Sequence, residues 1–123
     1  MELKRRHERR HERRHILYDV WPAEGHLLET IAPWRERLPA IAAAAGATIL
    51  DQAFHQFQPR GMTGFLLLAE SHLSVHTWPE AGLAAIDIFT CGAMDTEAII
   101  AQLRCWLKPE RERVTLVERG EVG

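Results

Sequence analysis

Three short apolar segments separated by tight turns occupy residues 63–91. They read TGFLLLAE (63–70), HLSVHTW (72–78) and LAAIDIFTC (83–91), and the tetrapeptide PEAG (79–82) separates the last two. Alternation in the second segment is typical of a half-buried strand, and the first, which is apolar on both faces, is typical of a central strand. Strands joined by connections this short pair as antiparallel hairpins. The chain is therefore expected to build an antiparallel sheet.

Three further segments with strand character lie on either side of this run. They are HILYDVW (15–21), ATILDQAFHQF (47–57) and RVTLVER (113–119). Between the first two, residues 27–45 carry apolar side chains at helical spacing. Gly46 follows them and is a favourable residue just past the end of a helix. This stretch therefore predicts a helix that lies between two strands.

Prolines divide the first helix, and capping residues bound a second. Pro33 and Pro39 predict a short helix, a break, and a second piece that begins near one of them. Asp95 can cap the second helix, and Pro109 ends it. The apolar stripe of this helix comprises Ile99, Ile100, Leu103 and Leu107. Cys105 is assigned to this apolar stripe and is expected in the core.

The order of these elements predicts the fold class. Strand, helix, a run of strands, helix and strand give an α+β fold, with a mainly antiparallel β-sheet and two helices covering one face in a two-layer sandwich. A chain of 123 residues has room for one domain. We expect that domain to span residues 15–119 and to follow a tail of residues 1–14.

The N-terminal tail is basic and repetitive. The stretch RRHERRHERRH (5–15) repeats every four residues. Residues 1–15 contain seven basic and three acidic side chains and carry a charge of +4. Because the whole chain has a net charge of −2, the remaining residues carry −6. The tail is either a metal-binding or nucleic-acid-binding arm, or a solvated extension that is disordered or loosely helical. Because no aromatic residue accompanies the arginines to stack on bases, the pattern favours the extension and disfavours a nucleic-acid partner.

The composition excludes several classes of protein. No apolar run approaches the length that spans a bilayer, and no apolar region follows the N-terminal arginines as in a secretory signal. Cys91 and Cys105 are too few for a disulfide framework or, alone, for a structural zinc site. A cytoplasmic protein with no membrane partner is expected.

The hairpin of residues 72–91 is expected to have one polar face. Along the first strand, the polar and aromatic side chains share one side, and Leu73 and Val75 share the other. Along the second, Asp87, Phe89 and Cys91 share a side. Pairing through the PEAG turn places both polar sides together. The resulting face needs a partner, a ligand or water.

Common catalytic and metal motifs are absent from this hairpin. His72 and His76 are four residues apart, which in a strand is roughly 13 Å and too far for one metal ion to bridge. Ser71 lacks the flanking glycines of a hydrolase elbow, and no phosphate loop or dinucleotide fingerprint occurs. Neither a metal site nor a Ser-His-Asp triad is predicted.

Three long segments together resemble a known family. AESHLSVHTWPE (69–80), AAIDIFTCG (84–92) and GATILDQAFHQFQPRGMTG (46–64) are similar to the prokaryotic S-adenosylmethionine decarboxylase proenzymes, which depend on a pyruvoyl group. The resemblance covers about residues 15–119. It implies a chain that cleaves itself between Glu70 and Ser71, and a homodimer of cleaved protomers.

The resemblance assigns roles to five residues in catalysis. It implies that Ser71 is the precursor of the pyruvoyl group that forms a Schiff base with the substrate, and that Glu70 supplies the carbonyl side of the cleaved bond. It makes His76 the base in self-processing and Cys91 the proton donor in decarboxylation. Thr63 takes a position that is serine in some members, and it is assigned a supporting role in processing.

The resemblance also implies the substrate and its contacts. Phe57 and Trp78 would flank the adenine of S-adenosylmethionine, and Glu80 would bind the ribose hydroxyls. Decarboxylation of an amino acid needs an electron sink, which is commonly pyridoxal phosphate on a lysine. The only lysines, Lys4 in the tail and Lys108 at a helix end, are not placed for that cofactor. The expected cofactor is the pyruvoyl group, without pyridoxal phosphate or metal, and the expected product is the aminopropyl donor of spermidine biosynthesis.

Two alternatives remain open from the sequence. VWP (20–22) departs from the LYG-like end of the first strand in the family. Because that strand can line the substrate pocket, the same machinery could decarboxylate arginine or ornithine. A second alternative is a homologue that does not process itself and acts as a binding or regulatory subunit.

Overall fold

The structure is a computed structural model that describes residues 13–91 and 94–120. In chain order, the six strands are β1 (Arg13–Pro22), β2 (Ile49–Gln56), β3 (Met62–Leu68), β4 (Ser71–Trp78), β5 (Leu83–Thr90) and β6 (Pro109–Arg119). The two α-helices are α1 (Ala32–Ala44) and α2 (Thr96–Leu107), and 3₁₀ turns span Gly25–Leu28 and Pro79–Ala81. Most of the predicted tail lies outside the described residues, and β1 begins two residues before the predicted strand.

All six strands form one antiparallel sheet in the order β2-β3-β4-β5-β1-β6. Side chains alternate along the central strands, so that one face is buried and the other is open. The buried face and the helices form a single core that includes Tyr18, Leu66, Leu73, Ile86 and Leu103. The α+β prediction is confirmed, with both helices on one face of the sheet.

The helices begin and end where their capping residues predict, with one correction. The short helix is the 3₁₀ turn Gly25–Leu28, and after a break the second piece opens at Ala32, next to Pro33, and runs through Pro39. The Asp95 carboxylate caps α2 by accepting a hydrogen bond from the N–H of Ala98 at 3.0 Å. The prediction that Cys105 lies in the core is wrong, because its side chain is exposed on α2.

A buried tyrosine ties the edge strand β6 to β1 and α2. The Tyr18 hydroxyl donates to Glu112 Oε1 at 2.6 Å, and Arg104 Nε donates to both oxygens of the same carboxylate at 3.0 Å. Burial and the neighbouring carboxylate raise the pKa of Tyr18, whereas the Tyr18 hydroxyl and Arg104 lower the pKa of Glu112. Both groups therefore stay in the protonation states that make these bonds at neutral pH.

Gly64 is required by the packing of β2 on β3. The two strands pair Phe54 with Gly64, and a Cβ on Gly64 would overlap the Phe54 ring. We expect Gly64→Ala to lower the free energy of unfolding by about 1–3 kcal/mol, because the ring must move. Urea unfolding of purified protein measures this loss.

Gly25→Ala provides the control, since a Cβ at Gly25 meets no atom within 4 Å. The double variant Phe54→Ala/Gly64→Ala should lose less stability than the sum of its two single variants, because truncating the Phe54 ring leaves space for the new methyl group. Additive losses would contradict the overlap.

Candidate active site

The turn between β3 and β4 contains the Glu70–Ser71 peptide bond. Leu68 pairs with Ser71, so Ala69 and Glu70 form a two-residue connection. Turns of this length favour residues with positive φ in the connection itself. Neither connecting residue has one, and the positive φ falls on Ser71, at +152°. A non-glycine residue held there costs on the order of 1–3 kcal/mol. The structure thus strains the residue that follows the predicted cleavage point.

Hydrogen bonds anchor this turn to the start of β2. The N–H of Ala69 donates to the carbonyl of Thr48 at 2.9 Å, and the N–H of Thr48 donates to Glu70 Oε1 at 3.1 Å. On the other side, the Cys91 thiol donates to the carbonyl oxygen of Glu70 at 3.3 Å. The predicted nucleophile, the predicted scissile carbonyl and the predicted proton donor therefore lie together.

A second group of predicted residues lies further along the same hairpin. Thr63 of β3 is directly opposite His76 of β4, and Thr63 Oγ1 is 2.9 Å from His76 Nδ1. The His76 ring packs near that of Trp78, with centroids 6.0 Å apart. A hydroxyl partner on Nδ1 fixes the orientation of the imidazole, and the tautomer decides which group donates.

A cavity of about 300 Å³ adjoins this second group. Its lining residues are Phe57, Arg60, Gly61, Thr63, His76, Thr77, Trp78, Pro79 and Glu80. Phe57 is 47% exposed and Trp78 is 42% exposed, so two aromatic faces are available to a ligand. All three predicted substrate contacts therefore share one cavity. Trp21, from the divergent end of β1, is not among the lining residues and stacks under Arg111 instead.

The extended conformation of β4 separates the two groups. Ser71 and His76 are five residues apart on this strand, which spans roughly 16 Å. We call the first group the processing end (Glu70, Ser71 and Cys91) and the second the cavity end (Phe57, Thr63, His76, Trp78 and Glu80). Within one copy of the chain, His76 does not reach Ser71.

Comparison with known proteins agrees with the resemblance seen in the sequence. The family model described as S-adenosylmethionine decarboxylase matches residues 14–120. This chain belongs to the S-adenosylmethionine decarboxylase family. The S-adenosylmethionine decarboxylase proenzyme of Methanococcus vannielii is 41% identical over 87% of this chain and 88% of its own length. The proenzyme of Persephonella marina is 43% identical over 87% and 81% of the two chains.

A solved structure of the family has the same fold. The crystal structure of the adenosylmethionine decarboxylase from Aquifex aeolicus VF5 matches with a TM-score of 0.82. It is 36% identical in sequence, and the match covers 91% of this chain and 93% of that one. This chain therefore shares its architecture with that decarboxylase.

One polar network on the open face was missed by reasoning from the sequence. Asp87 Oδ1 lies 3.2 Å from His15 Nε2, and Ser74 Oγ donates to Asp87 Oδ2 at 3.3 Å. The rings of His15 and His72 also pack on Phe89. The alternation of β4 and β5 places Ser74 and Asp87 on the polar side, but no motif relates them to His15 on β1. The row of His15, His72 and Phe89 is adjacent to that of Ser71, and the pair of Ser74 and Asp87 lies three rows from it.

Three features of the described part of the chain concern metal ions, lysine and membranes. No group of three or more His, Cys, Asp or Glu side chains there could hold a metal ion. Lys108 ends α2 and does not line the cavity of the cavity end. Neither helix of the described ranges is long and apolar enough to cross a membrane.

Proposed function

We propose that this chain is a self-processing decarboxylase that converts S-adenosylmethionine to the aminopropyl donor used to make spermidine. The family to which it belongs supports this activity over decarboxylation of arginine or ornithine, because the relatives above are named for S-adenosylmethionine. Their description as proenzymes favours self-processing over a binding subunit that stays intact. The observation that carries the proposal is the strained Ser71 turn with a thiol on its carbonyl.

Cleavage begins with the hydroxyl of Ser71. Its Oγ attacks the carbonyl carbon of Glu70, and the hydroxyl proton passes to the amide nitrogen. The C–N bond then breaks to leave an ester in place of the amide and a free amine on Ser71. Negative charge develops on the carbonyl oxygen, where the Cys91 thiol already donates a hydrogen bond. Exchange of amide for ester is uphill, and release of the strain at φ +152° offsets part of that cost.

The ester is then lost by elimination. A base removes the α-proton of Ser71, the Cα–Cβ double bond forms, and Glu70 leaves as a carboxylate. Water adds to the resulting dehydroalanine and ammonia departs, which yields the pyruvoyl group. His76 suits the base because a neutral imidazole has one ring nitrogen free to accept a proton. For Nε2 to accept a proton, Nδ1 must carry the ring proton and donate it to Thr63 Oγ1.

A second copy of the chain supplies this base. The roughly 16 Å along β4 keeps His76 from Ser71 within one protomer. We propose a homodimer in which the open faces of two sheets pack together, covering the exposed side chains of Phe65, Leu67 and Val117. A two-fold axis across the strands reverses their direction, so the processing end of one copy meets the cavity end of the other.

Decarboxylation uses residues from both ends. When formed, the pyruvoyl group supplies the electron sink that accepts the pair left by CO₂. Phe57 and Trp78 offer faces to the adenine and the cationic sulfonium, and Glu80 accepts hydrogen bonds from the ribose hydroxyls. The Cys91 thiol returns a proton to the α-carbon. A reducing cytoplasm suits this role, since Cys91 is a free thiol.

Release of labelled CO₂ tests the activity and the substrate together. Purified protein is offered carboxyl-labelled S-adenosylmethionine, arginine and ornithine in parallel. We expect release from S-adenosylmethionine alone and none from the Ser71→Ala variant, which has no hydroxyl to form the pyruvoyl group. Release from arginine or ornithine instead would contradict the proposed substrate.

Mixed dimers test whether the base acts between copies. His76→Ala and Ser71→Ala chains are coexpressed with different tags and purified through both tags. The His76→Ala chain keeps its serine and faces the partner's His76, so we expect it to be cleaved in the mixed dimer. The Ser71→Ala chain should stay intact.

Homodimers of each variant serve as controls and should remain uncut or nearly so. If the His76→Ala chain stays intact in the doubly tagged dimer, the base does not come from the partner. If the two tags never copurify, no dimer forms and the arrangement is wrong.

A further inference from the structure

Gln56, the last residue of β2, makes an unusual number of hydrogen bonds with its side chain. Its Oε1 accepts from the N–H of Ile31 at 2.9 Å. Its Nε2 donates to the carbonyls of Glu29 at 2.9 Å, Phe57 at 3.0 Å and Gly61 at 3.1 Å. An amide has two N–H hydrogens, so one of them is shared between two carbonyls. The whole donating capacity of the side chain is in use.

These bonds join two separate segments of backbone. Glu29 and Ile31 belong to the short connection before α1, whereas Phe57 and Gly61 bound the loop of residues 57–61. Backbone hydrogen bonds link the same two segments. The N–H of Gly61 donates to the carbonyl of Glu29 at 2.9 Å, and the N–H of Phe57 donates to the carbonyl of Gly61 at 2.8 Å. The Gln56 amide thus fixes the loop against the rest of the protein.

The loop held in this way is one wall of the cavity. Phe57, Arg60 and Gly61 line the cavity, but Gln56 does not. The Phe57 ring is nearly half exposed and contacts the His55 ring at 4.7 Å between centroids, so its backbone position decides where its face lies. A wall held rigid before binding loses less entropy when the ligand arrives.

We propose that Gln56 is a positioning residue that holds the 57–61 loop so that Phe57 meets the adenine ring of the substrate. This inference rests on the proposed function. The side-chain bonds of Gln56 hold the loop, whereas His76 and Thr63 are held by the pairing of β3 with β4 and by their own hydrogen bond. We therefore expect Gln56 to act on substrate binding and to leave self-processing and the chemical step alone. It contacts neither the substrate nor the reacting atoms.

Kinetics of Gln56 variants test the proposal. Gln56→Met keeps the length of the side chain but removes every hydrogen bond, and Gln56→Glu replaces the donating NH₂ group with an oxygen that faces three carbonyls. We expect both to raise KM for S-adenosylmethionine roughly tenfold with less than about a twofold change in kcat, and to be cleaved as fast as wild type. Gln52→Met is the matched control, since Gln52 is an exposed glutamine four residues earlier on the same strand and face.

The outcomes separate the possible roles. Unchanged KM in both variants would overturn the proposal, and so would an equal rise in KM for Gln52→Met. A purely structural role predicts a lower fraction of active enzyme, and hence a lower apparent kcat, at constant KM. Should Gln56→Met fail to fold, Gln56→Asn, which keeps the amide but shortens its reach, must raise KM; failure of both to fold would also overturn the proposal. If wild type neither cleaves itself nor turns over, the proposed function has failed instead.

Discussion

The extended geometry of β4 is the constraint on which the rest of the site depends. A strand advances about 3.3 Å per residue, and this one carries Ser71 at its first position and His76 at its sixth. The chemistry is thereby divided between two ends of one hairpin, each with its own internal contacts. A processing end has the strained bond and the thiol, and a cavity end has the histidine and the aromatic side chains. Two sheets packed face to face across a two-fold axis would form two equivalent sites, each from the processing end of one copy and the cavity end of the other. This packing would also cover the exposed apolar side chains of Phe65 and Leu67 on an open face that is polar at its centre.

The two ends are held by different means, in keeping with their different tasks. At the processing end, antiparallel pairing forces a two-residue connection through a sequence without glycine or asparagine, and Ser71 takes the backbone strain. Anchors to Thr48 keep that strain from relaxing by movement of the turn. At the cavity end, the Gln56 amide and its backbone partners fix a loop whose residues 57–60 are exposed. Backbone strain at Ser71 lowers the cost of breaking a bond that breaks once. A rigid cavity wall reduces the entropy lost each time a ligand binds.

Much of the fold was predictable because it follows from local patterns. Alternation in LSVH and AIDIF indicates which face of the sheet is buried, and the cap at Asp95 locates α2. Pro33 locates the start of α1 because its fixed φ suits the first turn of a helix. The helix runs through Pro39 because packing of α1 on the sheet outweighs the loss of one hydrogen bond. Cys105 was wrongly placed in the core because a stripe of apolar residues on a helix does not show whether a residue at its edge is buried by neighbouring elements.

The candidate residues came from resemblance to a family, but their arrangement did not. The rise per residue of a strand places His72 too far from His76 to share a metal ion, and it places Ser71 too far from His76 as well. A sequence motif identifies these residues but does not show which copy of the chain provides each one. The φ of Ser71 and the hydrogen bonds of Gln56 depend on tertiary contacts that residue spacing in the sequence does not reveal.

The proposed activity requires this chain to break its own backbone before Ser71 to make a reactive carbonyl. Denaturing mass spectrometry of the purified protein, with and without hydroxylamine, tests this directly. We expect chains of residues 1–70 and 71–123, with an adduct only on the second. A single intact chain that forms no adduct would show that the backbone is not broken there.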